Sequence, residues 1–375
     1  MRTSDEGPAA EREVSIVLAG GGSAGHTSPL IATALELRRL RPDARLTAVG
    51  TARGLETRVV PAAGLPLELI PPVPVPRRPS MDLALVGPRL WRAIAAAVAV
   101  LRRAEADAVL GFGGYVSAPV YLAARRVGVP ILLHEQNALP GLANRLAAHL
   151  THHVYTSFPN TPLPHATYIG LPLRHSITDL DRAKARTAGR EQFQLQPDLP
   201  VLLVSGGSQG AASINTALLG ARDALLAAGI QVLHVLGPRN LTDQTLATSD
   251  TTTGARYSPV AYVDKMEQAY AAADLMLGRC GASTVLETAA VGLPAIFVPY
   301  PHGNGEQARN ARAIVEAGGG ILLPDDMCTQ DWVAQHVPAL IGDGARLAGM
   351  SATLRGVAKA DAAGVLAEQA LEVAS

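Results

Sequence analysis

The chain predicts an α/β protein of two domains, each a parallel sheet with helices on both faces. Three observations carry this expectation. Its 375 residues exceed what a single core comfortably supports. Runs rich in β-branched residues end repeatedly at glycine or a polar turn, and Ala- and Leu-rich helical stretches follow them. The pattern also restarts: GGGSAG (20–25) follows the first strand of one half, and GGSQGA (206–211) follows the first strand of the other.

In the first half the strand-like runs are SIVLAG (15–20), RLTAVG (45–50), AVLGFGG (108–114), ILLHEQN (131–137) and HVYTS (153–157). In the second they are PVLLVSGG (200–207), QVLHVLG (231–237), DLMLGRCG (274–281) and PAIFVPY (294–300). Stretches such as LIATALELRRL (30–40) and INTALLGARDALLAAG (214–229) supply the helices between them. The weakest patterning lies between Pro159 and Pro200, which places the boundary near Gly170 to Ser176 and the domains at 1–172 and 173–375. The last helical segment, LRGVAKADAAGVLAEQALEVA, can pack on either domain, including back on the first.

Composition narrows the partners. Thirty-two basic residues balance thirty-two acidic ones, so no global field draws in nucleic acid, and any basic surface must be local. Two cysteines, Cys280 and Cys328, form no disulfide framework and no metal spacing, which fits a reducing compartment. The N-terminus, MRTSDEGPAAEREV, is polar and acidic, the reverse of a signal peptide, and its first dozen residues read as a disordered lead-in. The apolar stretch from Ile94 to Leu101 is about a third of a membrane span.

Gly20, Gly22 and Gly25 satisfy G-x-G-x-x-G, the dinucleotide fingerprint. That reading also demands a carboxylate ending the next strand, and RLTAVG ends at Val49-Gly50-Thr51; Glu56 follows only in the next helix. A nicotinamide site is therefore disfavoured. Glycine turns after strands also serve simply as tight turns. Their recurrence at 20–25, 111–114 and 206–210 favours anion binding by loop amides and helix N-termini. His26 stands where the first loop enters its helix, with Ser28 and Pro29 expected to start the regular turns. It suits a structural hydrogen bond, or, through its near-neutral pKa, removal of a proton from a hydroxyl nucleophile.

GGGSAGH, GFGGYVSAP (111–119), HEQNALPGLANR (134–145), GLPLR (170–174), SGGSQGA (205–211) and the long run AYVDKMEQAYAAADLMLGRCGASTVLETAAVGLPAIFVPYPHGNGEQARNA (261–311) together resemble the MurG family. These are N-acetylglucosaminyltransferases that convert lipid I to lipid II in peptidoglycan synthesis. The resemblance runs in order from about residue 14 to residue 325. It implies the GT-B fold, two Rossmann-like doubly wound domains facing across a cleft, with inverting, metal-independent transfer and no cofactor.

The same resemblance assigns roles. Glu287 of GASTVLE would accept hydrogen bonds from the ribose hydroxyls of UDP, two lone-pair sites meeting two donors. Ala282, Ser283 and Thr284 would offer amides to the diphosphate and sugar. Tyr262, Val263 and Met266 correspond to the uracil pocket, with the Val263 backbone reading the base edge; an apolar stripe of this kind also serves as core. Ser208 would bind diphosphate, and Arg174 would supply positive charge to departing UDP in place of a metal. Glu306 and Gln307 fall where the family contacts the GlcNAc hydroxyls, and Glu306 departs from the commoner Gln or His. Asn137 would reach the transferred sugar.

On the acceptor side the resemblance points to Ser23, Gly25, His26, Gly113, Gly114 and Tyr115, with His26 as general base for the C4 hydroxyl of MurNAc. Ser23 replaces the commoner Thr and keeps the hydroxyl. Glu135 is expected to complete a buried network. The segment 73–103 sets Met81, Leu83, Leu85, Val86, Leu90, Trp91 and Ile94 among Arg77, Arg78, Arg89, Arg92, Arg102 and Arg103, a composition suited to an anionic membrane surface. The expected partners are UDP-GlcNAc, a lipid-linked diphosphate-MurNAc-peptide acceptor and that surface, with other cell-wall enzymes as candidates. The implied location is cytoplasmic, peripheral on the inner face of the cell membrane. Two rival readings remain at this level: transfer to another acceptor, such as a natural-product scaffold, and a UDP-GlcNAc epimerase, which would need carboxylates such as Glu135 and Glu306 around the sugar.

Overall fold

A computed structural model describes residues 13–74, 85–242, 245–359 and 361–375. The expected lead-in over the first dozen residues lies outside them, as do Arg77, Arg78, Met81 and Leu83. In the first half the chain runs β1 (Ser15–Ala19), α1 (Ala24–Leu40), β2 (Arg45–Gly50), α2 (Glu56–Ala62), β3 (Leu67–Leu69), α3 (Val86–Arg103), β4 (Ala108–Gly111), α4 (Ser117–Val127), β5 (Ile131–Glu135), α5 (Leu142–Ala147), β6 (His153–Thr156) and β7 (Ala166–Tyr168). After the short α6 (His175–Thr178) and α7 (Arg182–Gln192) come β8 (Val201–Ser205), α8 (Ala212–Ala227), β9 (Gln231–Val235), β10 (Thr248–Ser249), β11 (Arg256–Val260), α9 (Met266–Ala272), β12 (Leu275–Gly278), α10 (Ala282–Val291), β13 (Ala295–Phe297), α11 (Glu306–Glu316) and β14 (Gly320–Leu322). Three helices close the chain: α12 (Gln330–Gly342), α13 (Gly344–Val357) and α14 (Ala362–Ala374).

The strands form two seven-stranded sheets, ordered β3-β2-β1-β4-β5-β6-β7 and β10-β11-β9-β8-β12-β13-β14. Every pair in the first sheet is parallel; in the second only β10 runs antiparallel. Both faces of each sheet are covered, so central strands such as β1, β8 and β12 are buried throughout. In each sheet the strand order reverses once, between β1 and β4 and between β8 and β12. Ligands of such sheets collect in the crevice beyond the strand ends at that reversal. The glycine loops at 20–25 and 206–210 leave the sheet there, so topology alone puts them at the binding edge.

Two elements differ from expectation. Helix α1 begins at Ala24, four residues before Ser28, with Ser23 extended at its N-cap position. Pro29 therefore lies inside the helix, where its missing N–H leaves the Gly25 carbonyl without a helical donor. His26 sits in the first turn rather than at a junction before it. The expected single terminal helix is broken: α13 packs on α10, the chain extends at Ala358, and α14 packs against α1, β1 and β4. There Leu366, Ala367 and Ala370 join the core of the first sheet, and the Tyr155 hydroxyl donates to Gln369. The crossing passes over Gly170, whose φ of +96° and closeness to Lys359 both exclude a Cβ. Nearby, His175 Nε2 and the buried Glu36 Oε2 stand 2.9 Å apart, linking α6 to α1.

Candidate active site

The two binding edges face each other across a cleft of about 700 Å³. From the first sheet come Ser23, Gly25, His26 and Asn137; from the second come Ser208, Ala282, Ser283, Thr284, Glu306 and Gln307. Ten sequence-predicted residues thus share one cavity. Arg174 and Tyr262 instead line a neighbouring cavity of about 340 Å³, which meets the cleft at Ala24. Gly113, Gly114, Tyr115, Val263, Met266 and Glu287 are not in the cleft lining.

On the first side, the Ser23 hydroxyl lies 3.0 Å from His26 Nδ1. If Nδ1 carries the proton and donates to Ser23, Nε2 is left as the proton acceptor. Burial lowers the pKa of His26, and the negative charge of Glu56 opposes that shift. A neutral imidazole at physiological pH is what a general base requires. Gly114 approaches from the side: a Cβ there would stand 2.7 Å from the Gly21 carbonyl oxygen and 3.6 Å from His26 Nδ1. The Gly113–Gly114 turn therefore walls the loop that carries His26.

Glu135 is buried and accepts from the Asn137 and Gly141 amides at 2.9 and 3.0 Å and from Asn144 Nδ2 at 3.0 Å. It holds the loop that carries Asn137. Its neighbour Gln136 donates to the His134 carbonyl at 2.9 Å, and its buried Oε1 has no partner in the described residues although Gln136 lines the cleft. Burial holds His134 neutral, with its pKa pushed down to about 4.

The second side is held by two clusters. At the start of α10, Ser283 lines the cleft with a buried hydroxyl that likewise has no partner. One turn further on, Glu287 Oε2 accepts from the Tyr270 hydroxyl at 2.7 Å. Burial raises the pKa of Glu287, while Tyr270 and Arg174 pull it back. Arg174 thus acts on the Glu287 carboxylate although it lines the adjoining cavity. Val263 is buried in the core of the second domain and Met266 packs against that core, while Tyr262 lines the adjoining cavity. The Tyr262 ring also carries the Arg58 guanidinium at 5.3 Å from its centroid.

The other cluster surrounds the 206–210 loop. Arg279, nearly buried, donates to Asp325, Ser213 and the Pro299 carbonyl, and lines the cleft beside Ser208. At α11 the Gln307 side-chain oxygen accepts from the Tyr300 amide at 3.0 Å, and Gln307 lines the cleft. Sequence reading missed Gln136, Arg279 and Asn310. The last is buried and bridges the domains: its Oδ1 accepts from the Ala138 amide at 2.9 Å and its Nδ2 donates to Asn137 Oδ1 at 3.2 Å. Each falls inside a motif already quoted, HEQN, LGRCG or GNGEQARN, so position in the motif was the available signal.

Comparison with known proteins meets this geometry. Residues 16–156 match the glycosyltransferase family 28 N-terminal domain, and residues 201–366 match the family 28 C-terminal domain. A Nocardioides protein named UDP-N-acetylglucosamine--N-acetylmuramyl-(pentapeptide) pyrophosphoryl-undecaprenol N-acetylglucosamine transferase is 54% identical over 358 residues, covering 96% of this chain and 98% of its own. A Cutibacterium acnes protein of the same name is 53% identical over 369 residues, covering 96% and 98%. The crystal structure of MurG from Acinetobacter baumannii superposes with a TM-score of 0.75 at 25% identity, covering 96% of this chain and all of that one. With both domain models in order and half its residues shared over nearly its whole length, the chain belongs to glycosyltransferase family 28, among the MurG N-acetylglucosaminyltransferases.

Proposed function

We infer that this enzyme transfers N-acetylglucosamine from UDP-N-acetylglucosamine to the C4 hydroxyl of the MurNAc of lipid I, inverting the anomeric centre and forming lipid II. Near-full-length relatives at over 50% identity carry that activity in their names. The observation that carries the site reading is the single cleft in which His26, oriented by Ser23, faces the Ser208 loop and the first turns of α10 and α11. His26 Nε2 takes the proton of the acceptor hydroxyl as its oxygen attacks C1. The C1–O bond to the β-phosphate breaks on the opposite face, and UDP leaves with the electron pair.

Loop amides around Ser208, the N-terminal amides of α10 and the charge of Arg174 meet the departing diphosphate. Glu287, steadied by Tyr270, takes the ribose hydroxyls, with Tyr262 and the Val263 backbone at the base. Asn137, Glu306 and Gln307 take the sugar. Gly25, Gly113, Gly114 and Tyr115 border the acceptor. The engagement of Glu135 in its own loop leaves it poorly placed for acid/base work on the sugar, which counts against the epimerase.

The division we propose for the chain, 1–172 for acceptor and membrane and 173–375 for the donor, has α14 returning to the first domain. We place the enzyme on the cytoplasmic face of the membrane. Among the described residues no helix is long and apolar enough to cross a bilayer. Helices α3 and α5 both pack on α4; Leu85, just before α3, and Trp91, Leu142 and Leu146 on the two helices are exposed beside Arg92 and Arg145, apolar and basic groups suited to an anionic leaflet.

The test is direct. Incubation with UDP-GlcNAc and a short-chain lipid I analogue should release UDP and yield a β-1,4-linked disaccharide. Tight donor binding without transfer to that analogue would point to another acceptor, and conversion of the donor to its 2-epimer would contradict transfer.

A further inference from the structure

Beneath the first glycine loop lies a carboxylate that the transfer reaction as described does not use. Glu56, the first residue of α2, is fully buried. Its Oε2 accepts from the Gly22 amide at 2.8 Å, and its Oε1 from the Thr51 amide and hydroxyl at 2.9 and 3.0 Å. The surroundings are built to admit it, since a Cβ at Gly21, Gly50 or Gly54 would run into the Glu56 side chain. Burial alone would push its pKa up; the amides of Gly22, Thr51 and Glu56 itself, with the Thr51 hydroxyl, bring it below the ordinary value. Glu56 is therefore an ionised carboxylate at neutral pH, satisfied by donors rather than by a cation.

The residue after Gly22 is Ser23, the partner of His26 Nδ1. The loop is thus gripped on one side by Glu56 and walled on the other by Gly114. We propose that Glu56 is a positioning residue for His26, pinning the loop through Gly22 so that Ser23 holds the imidazole. This rests on His26 being the general base.

The consequence is electrostatic as well as geometric. Arg279, His302, Glu306 and Asp325 line the same cleft from the second domain and Arg174 lines the adjoining cavity, while the Glu56 charge, from beneath the loop, opposes the lowering of the His26 pKa by burial. As the acceptor proton arrives at Nε2, the Glu56 charge, already in place, favours the imidazolium without reorganisation. The same contact commits the Gly22 N–H to Glu56. An acceptor phosphate at this loop then depends on the free N-terminal amides of α1 at Ala24 and Gly25.

The experiment uses the full chain with Glu56→Gln and Glu56→Asp. The His26 imidazole is titrated by NMR without substrate, its signal assigned by its loss in His26→Asn, and the pH profile of transfer is recorded beside it. Because the base must be neutral, kcat/KM rises with pH through the His26 pKa. Removing the Glu56 charge should move both the His26 titration and that rising limb to lower pH. The plateau should fall about tenfold or more as the base weakens and loosens, with KM for UDP-GlcNAc within about twofold. Glu56→Asp keeps the charge and should leave the titration closer to wild type, with an intermediate plateau.

A folded Glu56→Gln protein whose His26 titration and acid limb match wild type would overturn the proposal, whatever its loss of Tm. Should that variant not fold, Glu56→Asp with a wild-type kcat/KM plateau would overturn it. Wild-type protein that transfers no sugar, with His26 still shifted by Glu56→Gln, would instead refute the function while leaving the Glu56–His26 coupling standing.

Discussion

After β1 the chain turns through Gly20–Gly22 above a buried carboxylate, and after β8 it turns through Gly206–Gly210 beside a nearly buried guanidinium. Both loops leave their sheets at the same topological point, each leading into a long helix, α1 or α8. In the first, the Gly22 amide is taken by Glu56. In the second, the Gly207 amide donates to Ser205 and Gly210 to Gly207, while the Ser208 and Gln209 amides make no hydrogen bond among the described residues. The fold supplies an anion-seeking turn twice, and the side chains placed around it decide what each does. In the proposed reaction, a negative charge near one loop would favour the gain of a proton, and open amides near the other would favour a departing diphosphate.

The comparison breaks most readily at His26. His26→Ala should lower kcat by about 10²- to 10⁴-fold while KM for UDP-GlcNAc holds within about twofold. A loss confined to KM would remove the distinction between the loops. Next in size is the donor side. Glu287→Ala should weaken UDP-GlcNAc binding by roughly 10- to 100-fold, the worth of one or two hydrogen bonds to a charged group. Tyr270→Phe, which removes the group steadying that carboxylate, should cost only about two- to fivefold by the same measure. If Tyr270→Phe matched Glu287→Ala, the hydroxyl itself would be the ligand. The smallest effect sharpens the contrast between domains. Trp91→Ser should reduce cosedimentation with vesicles containing anionic phospholipid by about threefold, the contribution of part of one exposed apolar side chain, and leave UDP affinity unchanged.

Much of this was legible from sequence because buried parallel strands declare themselves. The nine strands read as β-branched runs all formed, within a few residues of their expected ends. Those that went unread are short or mixed: β3, β7, β10 and β14 have at most three residues, and β11 contains Pro259. That proline is tolerated because β10 pairs only with Arg256 and Tyr257 and does not extend to it. The break between α13 and α14 has no local cause, since its residues are mostly good helix formers; it exists because the chain must cross from one domain to the other. For the same reason Glu56 was read only as a carboxylate too late for a ribose. Its contact with Gly22 spans 34 residues, and nothing in either segment announces it except the glycines around it.

The claim that the two loops divide the reaction is tested most directly by calorimetric titration of UDP into wild type, His26→Ala and Glu287→Ala, a measurement that needs no acceptor. His26→Ala should bind UDP within about twofold of wild type, while Glu287→Ala should bind it at least about tenfold more weakly. Equal weakening by both substitutions would contradict it.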